Sequence, residues 1–349
     1  MASTVAIPAG IGDITPEWLT NALRGAGSGP TVTGVRAERI AQDSGFSSLL
    51  YRLHLTGDRV PATLIAKLPA QSEARGAMEL LGGYRRELAF YRDVAGQVPM
   101  EVPKVYAAVG AEDGADFVLL MEDLADWDNA DHLAGLTMEQ TRTCIGALAG
   151  LHFWTTDDPV LQQFPSLDTP IVRDLLVPAF GPGWQVYREK SGASVPARIQ
   201  RFAECFTDYA PIALAALTER NQLLHGDIRA DNLFFRGDAI KVVDFQFAAR
   251  GSGAADIAYL VSQGLPTDVR CGQDATLVRE YLHVLGSSDY SFDDAWWHYR
   301  CATAYLMMLP VITLIGWDGL PERSRQLCLT LVDRAVATID DIDAVAAFE

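Results

Sequence analysis

Apolar and polar residues follow two rhythms along this chain, and the change falls near Met121. The first element is a short amphipathic helix. Thr15 is suited to cap it, Pro16 to its first turn, and Glu17 to the positive end of its dipole. From Val32 onward the period becomes two. Val35–Ile40, Leu49–Leu55 and Ala62–Leu68 predict three strands, the last two forming a hairpin through Thr56-Gly57-Asp58-Arg59. An amphipathic helix over residues 73–95 comes next, and Val102–Ala108 and Phe117–Met121 complete a five-stranded antiparallel sheet. Beyond Met121 the period is helical. Thr137-Met138-Glu139-Gln140 predicts a capping box ahead of a helix running to Trp154. Pro159–Gly183 predicts an irregular stretch that Gly181-Pro182-Gly183 would keep from forming any element. Helices are predicted over Val195–Arg220, from Ala254, and over Leu277–Leu285, Asp293–Trp317 and Pro321–Ala347. The fold class is α+β, with a sheet lobe at 1–121 (residues 1–30 forming a helical arm) and a mostly helical lobe at 122–349.

Composition narrows the partners. The formal net charge of −17 argues against nucleic acid or an anionic membrane, since phosphate binding needs a basic face. The five cysteines are scattered, odd in number and without metal-like spacing, as expected of free thiols in a reducing compartment. No basic region followed by an apolar core opens the chain, so no secretory signal is expected and the cytoplasm is the expected location. The apolar run Cys301–Trp317 is short for a membrane span and contains Pro310, which predicts a buried, kinked helix. The sequence carries no indication of oligomeric state.

The chemistry concentrates in Leu223-Leu224-His225-Gly226-Asp227-Ile228-Arg229-Ala230-Asp231-Asn232, followed by the apolar run Ile240–Val243 and then Asp244. Two buried strands would hold a polar loop carrying an Asp, an Asn five positions on, and a second Asp at the end of the next strand. An Asp that accepts a hydroxyl proton, with an Asn and an Asp that hold magnesium, is the minimum apparatus for phosphoryl transfer to an alcohol. Upstream, Lys67 stands among apolar strand residues, where an unpaired ammonium would be costly. The loop Ser44-Gly45-Phe46-Ser47 between two strands can turn backbone N–H groups toward phosphates.

His225-Gly226-Asp227 with Asn232, and then Asp244-Phe245-Gln246, resembles the catalytic and metal-binding loops of small-molecule kinases with the protein-kinase-like fold. These are the aminoglycoside phosphotransferase, choline kinase and ecdysteroid-kinase-like families, with a lean to bacterial relatives of the last. The resemblance implies a nucleotide-binding first lobe and a catalytic, acceptor-binding second lobe. It implies ATP and Mg2+ as cofactors and a small hydroxylated molecule as acceptor. It makes Asp227 the residue that orients the acceptor hydroxyl, Arg229 a group for the transferred phosphoryl, and Asn232 and Asp244 metal ligands. Lys67 would hold phosphates, paired with Glu87, for which Glu79 is the rival, and the backbone of Glu122 and Leu124 would meet the base. His225 and Asp256 would support the catalytic loop. Asp-Phe-Gln in the metal loop and the single glycine of the phosphate loop depart from the protein-kinase pattern and leave the number of metal ions open. Choline-type or aminoglycoside cations and uncharged alcohols all remain open as acceptors. The alternative from another class is a pseudokinase that binds nucleotide or ligand without turnover.

Overall fold

The structure is a computed structural model describing residues 6–24, 29–40, 48–71, 73–111, 114–154 and 159–349. It divides into two units, Met1–Gln97 with Val102–Asp126, and Val98–Glu101 with Trp127–Glu349.

The first unit is built on β1 (Thr31–Ile40), β2 (Ser48–Asp58), β3 (Thr63–Pro69), β4 (Val105–Gly110) and β5 (Phe117–Met121). They form one antiparallel sheet in the order β1-β2-β3-β5-β4. Period-two alternation sorts the side chains. Leu53, Leu55, Leu64, Ala66, Val118 and Leu120 face a core that Ile14 and Leu19 complete. Leu19 belongs to α1 (Pro16–Leu23), whose cap is Thr15, its hydroxyl accepting the Trp18 N–H. The opposite face carries Arg52, Ile65 and Lys67. The helix expected over 73–95 is broken. α2 (Glu73–Leu81) and α3 (Gly83–Ala89) meet at Gly82, which is left-handed at φ 69°, and a π-helical turn, Phe90–Val94, extends α3.

In the second unit α4 (Met138–Phe153) carries the expected capping box, Thr137 and Gln140 each bonding the other's backbone N–H. The irregular stretch expected up to Gly183 is overturned at its end, because α5 (Val177–Lys190) runs straight through Gly181-Pro182-Gly183. A π-helical turn, Val172–Leu176, runs directly into α5 ahead of Pro178, and Pro182 lies inside the helix. Gly183 supplies the room for a close helix approach, since a Cβ there would lie 2.2 Å from the Val311 carbonyl oxygen. Packing thus outweighs local helix propensity. The two-residue β6 (Asp128–Asn129) precedes α4, and α6 (Ala197–Glu204) and α7 (Phe206–Leu217) lead to β7 (Gln222–Leu224). β8 (Leu233–Arg236) and β9 (Ala239–Val242) form a hairpin, and β10 (Ala249–Gly251) pairs with β7. The fully buried α8 (Ala254–Gly264) is followed by α9 (Thr267–Arg270) and α10 (Asp274–Leu285). The predicted helix over Asp293–Trp317 is α11 (Phe292–Leu306) and α12 (Met308–Thr313), interrupted where Pro310 has no N–H for the Leu306 carbonyl. Over Phe292–Gly319 the chain is long and apolar enough to cross a membrane, and just over half of its apolar window is buried inside the protein. α13 (Glu322–Asp341) ends the helical series. Tyr299 and Tyr305 of α11 are buried in the core, while Trp296 and Trp297 are half-buried. Tyr299 donates to Asp274 at 2.7 Å, Tyr305 stacks on Phe206, and Trp296 stacks on Tyr299. Trp127 is likewise buried, with the Arg236 and Lys241 cations over its ring.

Candidate active site

β7 delivers the chain into His225-Gly226-Asp227, and Gly226 makes the turn. Its φ is +79°, and a Cβ would stand 2.2 Å from the Phe247 carbonyl oxygen, so only glycine fits. Asp256, in the first turn of α8 and 2% exposed, fastens that turn from behind. Its Oδ2 accepts the His225 N–H at 2.7 Å and its Oδ1 accepts the Gly226 N–H at 2.9 Å. His152 Nε2 reaches the same carboxylate at 3.2 Å, and its Nδ1 meets the Tyr281 hydroxyl at 3.0 Å. Burial works against the Asp256 charge, but bonds from His152 and Gly226 hold the carboxyl below its ordinary range. His225 closes the turn: Nδ1 accepts the Asp227 N–H at 3.1 Å and Nε2 donates to the Val243 carbonyl at 2.9 Å.

These bonds fix the main chain at Asp227. Asn232 Nδ2 donates to the Asp227 carbonyl oxygen at 2.9 Å, which turns the Asn232 Oδ1 away as the atom left for another ligand. Arg229 Nε lies 3.0 Å from one Asp227 carboxylate oxygen and 3.1 Å from the other. Burial raises the Asp227 carboxyl above its ordinary range, with Arg229 opposing and the nearby Asp244 adding to the shift. Asp244 adopts the left-handed conformation, φ 70°, where the chain leaves β9 for the 3-10 turn Phe245–Phe247.

Two residues here had no motif to announce them. Buried Tyr259 of α8 lies close enough for burial, then the Asp227 charge, to push its phenol well above the ordinary range. His132 is 1% exposed, and its Nδ1 accepts the Ala230 N–H at 2.9 Å, in the loop that follows Asp227. Burial first, then the Arg229 and Arg334 cations, hold His132 well below 6.5. A folded-state pKa below the unfolded one means that His132 contributes stability fully present above pH 6.5 and lost as pH falls below it. His298, also lowered by burial, acts with the same sign. Urea melts at stepped pH are expected to show unfolding free energy falling from about pH 6.5 to 5. His132→Asn, whose amide oxygen can replace Nδ1, should flatten that slope by up to about 1.4 kcal/mol per pH unit. An unchanged slope would mean that His132 titrates normally.

In the first unit, Lys67 Nζ lies 2.7 Å from Glu87 Oε1, and both side chains are buried. Glu122 is tied to Lys104 twice, its N–H donating to the Lys104 carbonyl at 2.8 Å and its Oε2 accepting the Lys104 N–H at 3.0 Å. Leu124 is buried. Ser44, Gly45, Phe46 and Ser47 lie outside the described residues.

Among the described residues, no group of three or more His, Cys, Asp or Glu could hold a metal by itself. Asn232 and Asp244 offer oxygen atoms only, a donor set that suits a hard cation completed by water and phosphate oxygens.

Several solved structures share this fold. A protein of Ralstonia eutropha JMP134, provisionally described as an aminoglycoside phosphotransferase, is 16% identical, with a TM-score of 0.58 over 94% of this chain and 97% of that one. A choline/ethanolamine kinase family protein of Mesorhizobium loti is 18% identical, with a TM-score of 0.53 over 90% and 92%. The GDP complex of aminoglycoside 2'-phosphotransferase-IIIa is 16% identical, with a TM-score of 0.53 over 88% and 94%. No curated protein matches the chain in sequence. Residues 39–296 match the model of the phosphotransferase enzyme family, and with that match covering most of its length, on an α+β, protein-kinase-like fold, the chain belongs to that family of small-molecule phosphotransferases.

Proposed function

We propose that the protein is an ATP- and magnesium-dependent phosphotransferase that moves the γ-phosphoryl group to a hydroxyl of a small molecule. The observation that carries the reading is the Asp227 carboxylate, positioned by its own loop main chain through Asp256, His225 and Asn232. In this reading Asp227 orients the acceptor hydroxyl and takes its proton, mostly by positioning, because phosphoryl transfer has a loose transition state. Arg229 leaves Asp227 to face the charge of the phosphoryl in transit. Asn232 Oδ1 and Asp244 hold the metal, which when bound offsets charge on the phosphates. Lys67, steadied by Glu87, contacts the α- and β-phosphates, and the Ser44–Ser47 loop covers them. The base meets the backbone of Glu122 and Leu124, where the committed Glu122 N–H leaves reading to other groups. The first unit thus serves the nucleotide, the second the chemistry and the acceptor.

The test is a thermal-shift titration with magnesium-ATP and magnesium-GTP, followed by an ADP- and GDP-release screen over aminoglycosides, choline and ethanolamine, sugars, nucleosides, macrolides and sterols. A nucleotide that binds the folded state raises Tm by mass action. A shift together with one acceptor class that triggers diphosphate release supports the reading and names the acceptor. No shift with either nucleotide overturns it.

A further inference from the structure

Arg52 and Asp123 are 71 residues apart, yet they form a two-pronged pair: Nε donates to Oδ2 at 2.7 Å and Nη2 to Oδ1 at 3.2 Å. Asp123 Oδ1 also accepts the Ala125 N–H at 3.1 Å, so the carboxylate organises the turn after β5 as well. The sheet register shows what this pair spans. Arg52 stands opposite Ile65, and Ile65 opposite Met121, so the guanidinium reaches across β3 to the segment that follows β5. Ile65 and Lys67 are two residues apart on one strand, which puts Arg52 on the same sheet face as the Lys67–Glu87 pair. Residues 122–124 are therefore fastened from both flanks, Glu122 to Lys104 and Asp123 to Arg52. The Asp123 side chain is 5% exposed and that of Arg52 27%. The carboxylate is nearly out of water while part of the Arg52 side chain stays open to it, so the pair fixes where the 122–124 backbone sits and which flat surface lies beside it.

We infer that Arg52, held by Asp123, is a positioning residue for the base of a purine nucleoside triphosphate. The pair sets the backbone that reads the base edge, and the guanidinium plane gives the ring a cationic surface to stack on. The inference rests on the nucleotide reading above and assigns that site a contact on β2.

Calorimetric titration of the full chain with magnesium-ATP, magnesium-GTP and magnesium-tripolyphosphate tests it without needing an acceptor. Arg52→Gln and Asp123→Asn should each weaken ATP binding about five- to tenfold, the size of one cation–aromatic contact. Both should narrow the difference between ATP and GTP and leave tripolyphosphate, which has no base, unchanged. Arg52→Lys keeps the charge but loses the fork and the plane, and should behave like Arg52→Gln. An ATP Kd within twofold of wild type in Arg52→Gln overturns the role of the pair alone. Equal weakening of ATP and tripolyphosphate also overturns it, because the effect is then a general field or a loosened fold. A wild-type protein that binds neither nucleotide overturns the functional reading together with it.

Discussion

Asp227→Asn should lower kcat by about three orders of magnitude, within the range for losing a positioned acid–base group, while Tm and magnesium-ATP binding stay at wild-type values. The separation of the two effects follows from how the loop is held. Asp256 bonds the N–H groups of His225 and Gly226, His225 bonds the Asp227 N–H, and Asn232 bonds the Asp227 carbonyl oxygen. These main-chain bonds make no use of the Asp227 carboxylate. Of its side-chain partners, Arg229 is 27% exposed and can turn to water when the charge is gone, and Asn232 Nδ2, 3.5 Å from Oδ2, keeps its bond to the Asp227 carbonyl oxygen. The substitution therefore removes the carboxylate proposed to orient the acceptor and leaves the loop main chain standing. Single-turnover kinetics with a saturating acceptor would check it, and a rate within tenfold of wild type would remove Asp227 from the chemistry.

Lys67→Met should act twice. Lys67 and Glu87 are both nearly devoid of solvent contact, 5% and 1% exposed, and meet at 2.7 Å. Removing the ammonium takes from Glu87 the cation that offsets its buried charge. Breaking such a pair costs about 3–5 kcal/mol, whereas replacing both partners with apolar residues is often near neutral. Urea melts should therefore show Lys67→Met strongly destabilised and Lys67→Met/Glu87→Leu regaining most of the loss. Kinetically both variants should need far more nucleotide, because neither has a cation at this place on β3 for the phosphates. A single variant as stable as wild type would contradict the burial of the pair. Recovery of nucleotide affinity in the double variant would contradict the phosphate role.

Much of this was legible in the chain itself. The first three strands were marked by a change to period two and the last two by apolar runs, and once the strands are placed parity alone puts Arg52, Ile65 and Lys67 on one face and Leu53, Leu64 and Ala66 on the other. The spacing of His225, Asp227, Asn232 and Asp244 was equally open to reading, since a short loop between two buried strands brings its polar groups together. A lysine in a buried strand announced a need for a carboxylate, and Glu87 stands there. Tertiary structure alone decided the rest. α5 runs through Gly-Pro-Gly because α12 packs on Gly183, a contact from over a hundred residues downstream. Gly82 divides α2 from α3 by a backbone angle that amphipathic spacing does not encode. His132, Tyr259 and the Arg52–Asp123 pair reach their positions through packing between elements distant in sequence. A lone histidine, tyrosine or arginine carries no local pattern that tells which distant group it will meet. Local preference and periodicity are properties of a segment, whereas pairing across long sequence separations exists only once the chain is folded.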